Sequence, residues 1–175
     1  MKDILKPIIV LTCICLVVTT LLAVVNYVTA PVISAAEELA ASQARSEVLS
    51  GAKSFEKIEN VKLPDGVTEA YRGSDNSGYV FMLTQKGYGG DIKLICGMHD
   101  DGTIEAMKTL SHSETSGIGS KVVDNSTGLN TKYAGKSADN YDTVEPITGA
   151  TISSTAYRNA VASAFEALKA VKGAK

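Results

Sequence analysis

Residues 8–30 form one apolar run in which two cysteines and Tyr27 are the sole ionisable side chains. As a helix rising about 1.5 Å per residue, such a run spans roughly 35 Å, enough to cross a bilayer. A secretory signal competes, because Val28-Thr29-Ala30 is similar to a cleavage site and Lys2 and Lys6 precede the run. Signal cores run to about 7 to 15 apolar residues, so the greater length predicts a retained anchor. Beyond it, Val32, Ala36, Leu39 or Ala40, Ala44 and Val48 recur at helical spacing among Ala, Glu and Ser, which predicts a juxtamembrane helix over residues 31–50, with Pro31 a place for a bend.

The pattern then changes period. Gly51-Ala52-Lys53-Ser54-Phe55 ends the helix and residues 60–66, with Pro64-Asp65-Gly66, read as a turn. Residues 67–72, 78–85, 91–98 and 103–110 are short apolar or alternating segments, separated by Asp75-Asn76-Ser77-Gly78, by the glycines of 87–90 and by Asp100-Asp101-Gly102. The last separator predicts a hairpin. Short strands joined by tight turns, with helices near both ends, predict an α+β fold built on a mainly antiparallel sheet with flanking helices.

The remaining strong period is helical. Tyr157, Val161, Ala164 and Leu168 make an apolar stripe, and the turn ahead of it, Pro146-Ile147-Thr148-Gly149-Ala150-Thr151-Ile152-Ser153-Ser154, is crowded with hydroxyls. Ser153 or Ser154 is the expected N-cap, with free backbone amides pointing back toward the Gly149 turn. Such an end accommodates a phosphate, and an ordinary capped helix uses the same residues.

Composition narrows the rest. Of 175 residues about 30 belong to the anchor, leaving one domain of ordinary size. A formal charge of −2 and no long basic run offer no electrostatic footprint for nucleic acid. Cys13 and Cys15 lie in the apolar run and Cys96 in a strand, a spacing that supports neither a metal set nor a disulfide framework. The pair His112 and Glu114, with His99 the one other histidine, is too small a set for zinc, and a solvated polar loop is the plain alternative. Lys86-Gly87-Tyr88-Gly89-Gly90 has the wrong glycine spacing for a dinucleotide fingerprint and reads as a flexible turn with an exposed tyrosine. Asn125-Ser126-Thr127 matches a glycosylation acceptor, and Tyr133 is open between core and pocket.

Three of these segments, taken in order, resemble the covalent FMN-binding domain family, found in the G subunit of the ion-pumping ferredoxin:NAD oxidoreductase complex and the C subunit of the sodium-pumping quinone reductase. Thr148-Gly149-Ala150-Thr151, followed by Ser153 and Ser154, resembles the attachment motif. Gly87-Tyr88-Gly89-Gly90 resembles the segment that precedes a strand beside the flavin. Residues 112–119 resemble the family's His-x-Glu-Thr-Pro-Gly-Leu-Gly loop, with Ser116 in place of proline and Ile118 in place of leucine. Leu49-Ser50-Gly51-Ala52 resembles a Leu-Pro-Gly-Ala break, and Asp142 and Glu145 compete for the acidic position ahead of the motif.

The resemblance implies FMN joined through its phosphate to the hydroxyl of Thr151, with Thr148, Gly149, Ala150, Ser153 and Ser154 around the attachment turn. It adds Tyr88, His112, Glu114, Thr115 and Gly117 as further pocket candidates. No residue is expected to act catalytically or to bind a metal. It implies an electron-relay subunit of a membrane ion-translocating ferredoxin:NAD oxidoreductase, partnered by the complex's other membrane subunits and, during maturation, by a flavin transferase. The chain would not catalyse the full reaction alone. The alternative is a membrane-tethered flavin-binding or assembly module with no direct relay role. The expected plan is a short cytoplasmic N-terminus and anchor over 1–30, a juxtamembrane helix over 31–50 and an extracytoplasmic FMN domain over 51–175. Its orientation is argued from Lys2 and Lys6 against Asp3 before the run, with Glu37 and Glu38 after it.

Overall fold

A computed structural model describes residues 2–173, which divide into two compact units between Ala40 and Ala41. Helix α1, Lys2–Val48, continues through Pro31. Its most apolar stretch has a mean hydropathy of 3.0, and none of that surface is buried, as suits one membrane span. The hydroxyls of Thr12, Thr20, Thr29 and Ser34 donate to carbonyls four residues back at 2.7–3.0 Å, and that of Thr19 to Cys15. These donors are satisfied inside the helix, which lets hydroxyls sit in hydrocarbon.

The second unit is built on a five-stranded antiparallel sheet in the order β1 (Phe55–Lys57), β2 (Val67–Gly73), β3 (Tyr79–Lys86), β4 (Asp91–Met98) and β5 (Ile104–Ser111). Every strand therefore pairs with its sequence neighbours. Tyr79, Phe81 and Leu83 of β3 and Ile92, Leu94, Cys96 and Met98 of β4 point to one face, into a core shared with α4 (Thr151–Gly173). Val80 and Ile95 point to the other, onto Ala44, Val48, Leu49, Ala52 and Tyr71. Both faces are covered, so β3 and β4 read in the sequence as almost continuous apolar runs rather than clean alternations. The predicted stripe of α4, Tyr157, Val161, Ala164 and Leu168, is buried throughout. Cys96 is fully buried, and burial pushes its thiol far above the ordinary range, out of reach of thiolate chemistry.

Two short helices that the polar composition concealed, α2 (Ser120–Val123) and α3 (Leu129–Tyr133), close the side of the core beside β5. Val122, Val123, Leu129 and Tyr133 are their buried apolar residues, so Tyr133 belongs to the core. The outer edge of β5 is capped by side chains. Asn125 accepts the Thr109 N–H at 2.7 Å and donates to the Thr109 carbonyl at 2.9 Å, and Asn130 donates to the Met107 carbonyl at 3.3 Å. An open ladder edge is thereby blunted. The same bonds commit the Asn125 amide, which counts against its reading as a glycosylation acceptor.

Candidate functional site

The β3–β4 turn and the exit of β5 fall at one end of the sheet, because Lys86 pairs with Asp91 and Lys93 with Ser111. The N-terminus of α4 arrives at the same end. Between them lies a cavity of about 450 Å³ lined by Tyr88, Glu114, Thr115, Ile118, Gly119, Gly149, Ala150, Thr151, Ile152 and Ser153, within the usual range of small-molecule sites.

The turn ahead of α4 forms for a local reason. The Ala150 N–H donates to the Ile147 carbonyl at 3.0 Å, and Gly149, third in that turn, has φ +83°. A β-turn with positive φ at its third residue favours glycine, and this sets the Thr-Gly order of the motif. Helix α4 begins at once, at Thr151. Its first internal bond runs from the Ser154 N–H to the Ala150 carbonyl at 2.9 Å. The amides of Thr151, Ile152 and Ser153 lie ahead of it, in the residues that line the cavity.

This placement corrects the expected cap. Ser153 and Ser154 lie inside the first turn, and both hydroxyls bond elsewhere. Ser153 donates to Glu114 Oε2 at 2.6 Å, and Ser154 Oγ accepts the Ile147 N–H at 3.1 Å. Both are nearly fully buried, at 1% and 3% exposure, whereas Thr151 is exposed. Arg158, two turns further on, donates to the Val144 carbonyl at 3.1 Å and ties the approaching segment to the helix.

Of the residues singled out from the sequence, Tyr88, Glu114, Thr115, Gly149, Ala150, Thr151 and Ser153 line the cavity. Thr148 is exposed in the turn outside it, and Ser154 lies beneath the turn. His112 is exposed, its Nδ1 accepting the Glu114 N–H at 3.2 Å. Gly117, at φ +96°, shapes the loop with open space where a Cβ would stand, and its N–H donates to Ser120 Oγ at 2.9 Å. Gly119, at the end of the same loop, makes room for Glu114: a Cβ there would sit 2.5 Å from Oε2. Asp142 and Glu145 are exposed.

Sequence reasoning passed over Ile152. It is 55% exposed, beside Ile118 at 56% and Tyr88 at 71%; among the described residues these are the large hydrophobics left exposed outside α1. All three line this cavity. The signal was present in the sequence as an apolar residue at the polar start of a helix. Below the site, the buried hydroxyls of Thr109 and Tyr157 bond to one another, and burial raises the Tyr157 phenol well above its usual range.

Residues 87–166 match the FMN-binding domain family and residues 1–48 match the RnfG N-terminal region. The G subunit of the ion-translocating oxidoreductase complex of Methanosarcina acetivorans is 30% identical over 98% of both chains. The G subunit of the Na(+)-translocating ferredoxin:NAD(+) oxidoreductase complex of Acetobacterium woodii is 30% identical over 80% of this chain and 79% of its own. The G subunit of the proton-translocating ferredoxin:NAD(+) oxidoreductase complex of Clostridium ljungdahlii is 28% identical over 94% and 91%.

Proposed function

We propose, since this chain belongs to the family of G subunits of ion-translocating oxidoreductase complexes, that it holds FMN covalently at the start of α4 and relays electrons in a membrane ferredoxin:NAD oxidoreductase. One observation carries the reading. The exposed Thr151 hydroxyl, the leading amides of a 23-residue helix and the exposed apolar side chains of Tyr88, Ile118 and Ile152 meet at a single cavity. These residues fit the two halves of a flavin nucleotide. The amides and the positive end of the helix suit a phosphate, and the apolar rim suits a flat ring system.

In attachment, the Thr151 oxygen bonds to the phosphorus of a flavin nucleotide activated as a phosphoanhydride. The anhydride P–O bond breaks, the distal phosphate leaves with its substituent, and the threonine proton is released. The flavin transferase implied by that chemistry supplies the donor site. Bound FMN then supplies a carrier for one or two electrons, and this chain's residues fix its place and surroundings. With α1 as a single membrane anchor, Lys2 and Lys6 favour the cytoplasmic side for the N-terminus, which supports a reading with Thr151 outside. The partners are the other membrane subunits of the complex.

Peptide mapping by mass spectrometry, after expression with the flavin-attachment machinery, tests the reading. An FMN-sized adduct on the peptide holding Thr151, lost in Thr151→Ala, supports it. A matured protein with Thr151 unmodified overturns it.

A further inference from the structure

Glu114 stands apart from its own loop. Ser113, Thr115 and Ser116 are exposed, whereas Glu114 is 7% exposed. Oε1 accepts the Gly89 N–H at 3.2 Å, and Oε2 accepts the Ser153 hydroxyl at 2.6 Å. One side chain thus joins the β3–β4 turn, the loop after β5 and the first turn of α4.

The glycines around it make sense on the same footing. A Cβ at Gly87 would lie 2.1 Å from Oε1, one at Gly119 2.5 Å from Oε2, and one at Gly89 2.1 Å from the Ser113 carbonyl. Gly119 has φ −63° and ψ −38°, a helical conformation open to any residue. Space for Glu114, not backbone freedom, is therefore what glycine supplies at that position. Two glycine-containing motifs, more than two dozen residues apart, accommodate one buried carboxylate.

The geometry points to Glu114 as the positioning residue of the site. It clamps Ser153 to the β3–β4 turn and so holds the first turn of α4, two residues after Thr151, in the arrangement that presents the threonine hydroxyl. The inference rests on the attachment reading above. Glu114 acts through Ser153 and Gly89. Misplacing a reacting hydroxyl by about 1 Å can slow a transfer on the order of a hundredfold, so a clamp of this kind has a rate to protect.

Two measurements on the full-length protein test it, with Glu114→Ala, Glu114→Gln, Ser153→Ala and Gly119→Ala as variants. The first is the initial rate of FMN transfer onto Thr151 by the transferase. Glu114→Ala and Gly119→Ala are expected to slow it by roughly tenfold or more. Glu114→Gln is expected to stay within about threefold of the parent, because an amide oxygen still accepts the Gly89 N–H and its NH₂ donates to a rotated Ser153 hydroxyl. The second measurement, amide hydrogen exchange before any flavin is added, does not depend on attachment. Glu114→Ala, Ser153→Ala and Gly119→Ala should each speed exchange at the Ser154 amide by about tenfold, while the later turns of α4 keep their protection. Parent-like exchange in these variants, or Glu114→Gln behaving as Glu114→Ala in both measurements, overturns the clamp. A parent protein that takes no FMN while its exchange pattern follows Glu114 overturns the attachment reading and leaves the clamp standing.

Discussion

Thr151 and Ser153 stand two positions apart on one helical turn and put the same functional group to opposite uses. Thr151 is exposed at the cavity, whereas Ser153, 1% exposed, spends its hydroxyl on Glu114. Thr151→Ala is therefore expected to lose covalent flavin without transferring it to Ser153 or Ser154, and peptide mapping of the variant checks this. Thr151→Ser keeps the oxygen and removes a methyl group, so labelling should persist at a reduced rate in the same assay. The turn ahead of α4 was legible because the Thr-Gly-Ala-Thr order suits a turn that needs glycine at positive φ. The uses of Ser153 and Ser154 were not, since capping and tertiary bonding draw on the same side chains. Deeper in, the buried Thr109–Tyr157 pair makes a second test. Tyr157→Phe strands the threonine hydroxyl and should cost about 1–3 kcal/mol in denaturant unfolding, whereas Thr109→Val with Tyr157→Phe removes both partners and should recover most of it.

At the level of elements, β2 to β5 and α4 were readable because each carries its period across several residues, and the observed strands begin and end within a residue of the predicted segments. β1, α2 and α3 were not, since each is three to five residues long, too short for a period to declare itself. Gly97 shows what pattern alone misses. A Cβ there would lie 2.0 Å from the Val48 carbonyl, so glycine lets the last turn of α1 close onto β4. Gly97→Ala sets side chain against backbone and is expected to cost about 1–3 kcal/mol or more, seen as a lower Tm. The link between α2 and α3 has its own pH signature. Asp124 collects hydrogen bonds from the hydroxyl and N–H of Ser126 and of Thr127, which lower its carboxyl from 3.8 to about 2. A depressed folded value means this contribution is complete above about pH 4 and fades as pH falls toward 2. NMR titration of the Asp124 carboxyl should report that midpoint, and Asp124→Ala should flatten the acid dependence of stability in the same window.

For the molecule as a whole, the candidate span and the cavity at the start of α4, both among the described residues, make a tethered carrier, and what the carrier does depends on the rest of its complex. The apolar helix was legible from hydropathy alone, because a span in lipid demands a long apolar run and little else. Its orientation rests on Lys2 and Lys6, so protease added outside sealed vesicles is expected to cleave the unit that holds Thr151, and its protection there would reverse the topology. Relay and assembly roles then separate through a single variant. Both require the chain to fold and to meet its partners, and Thr151→Ala leaves the core untouched because that side chain is exposed. An assembly module would therefore support ferredoxin-linked NAD reduction whether or not Thr151 carries flavin. A relay loses that turnover when Thr151→Ala enters an otherwise intact complex, and in the parent complex the flavin spectrum of this subunit changes as ferredoxin is oxidised. The expected outcome is full assembly of the Thr151→Ala complex with electron transfer reduced at least tenfold. Undiminished transfer would assign the electrons another path and leave this subunit a scaffold.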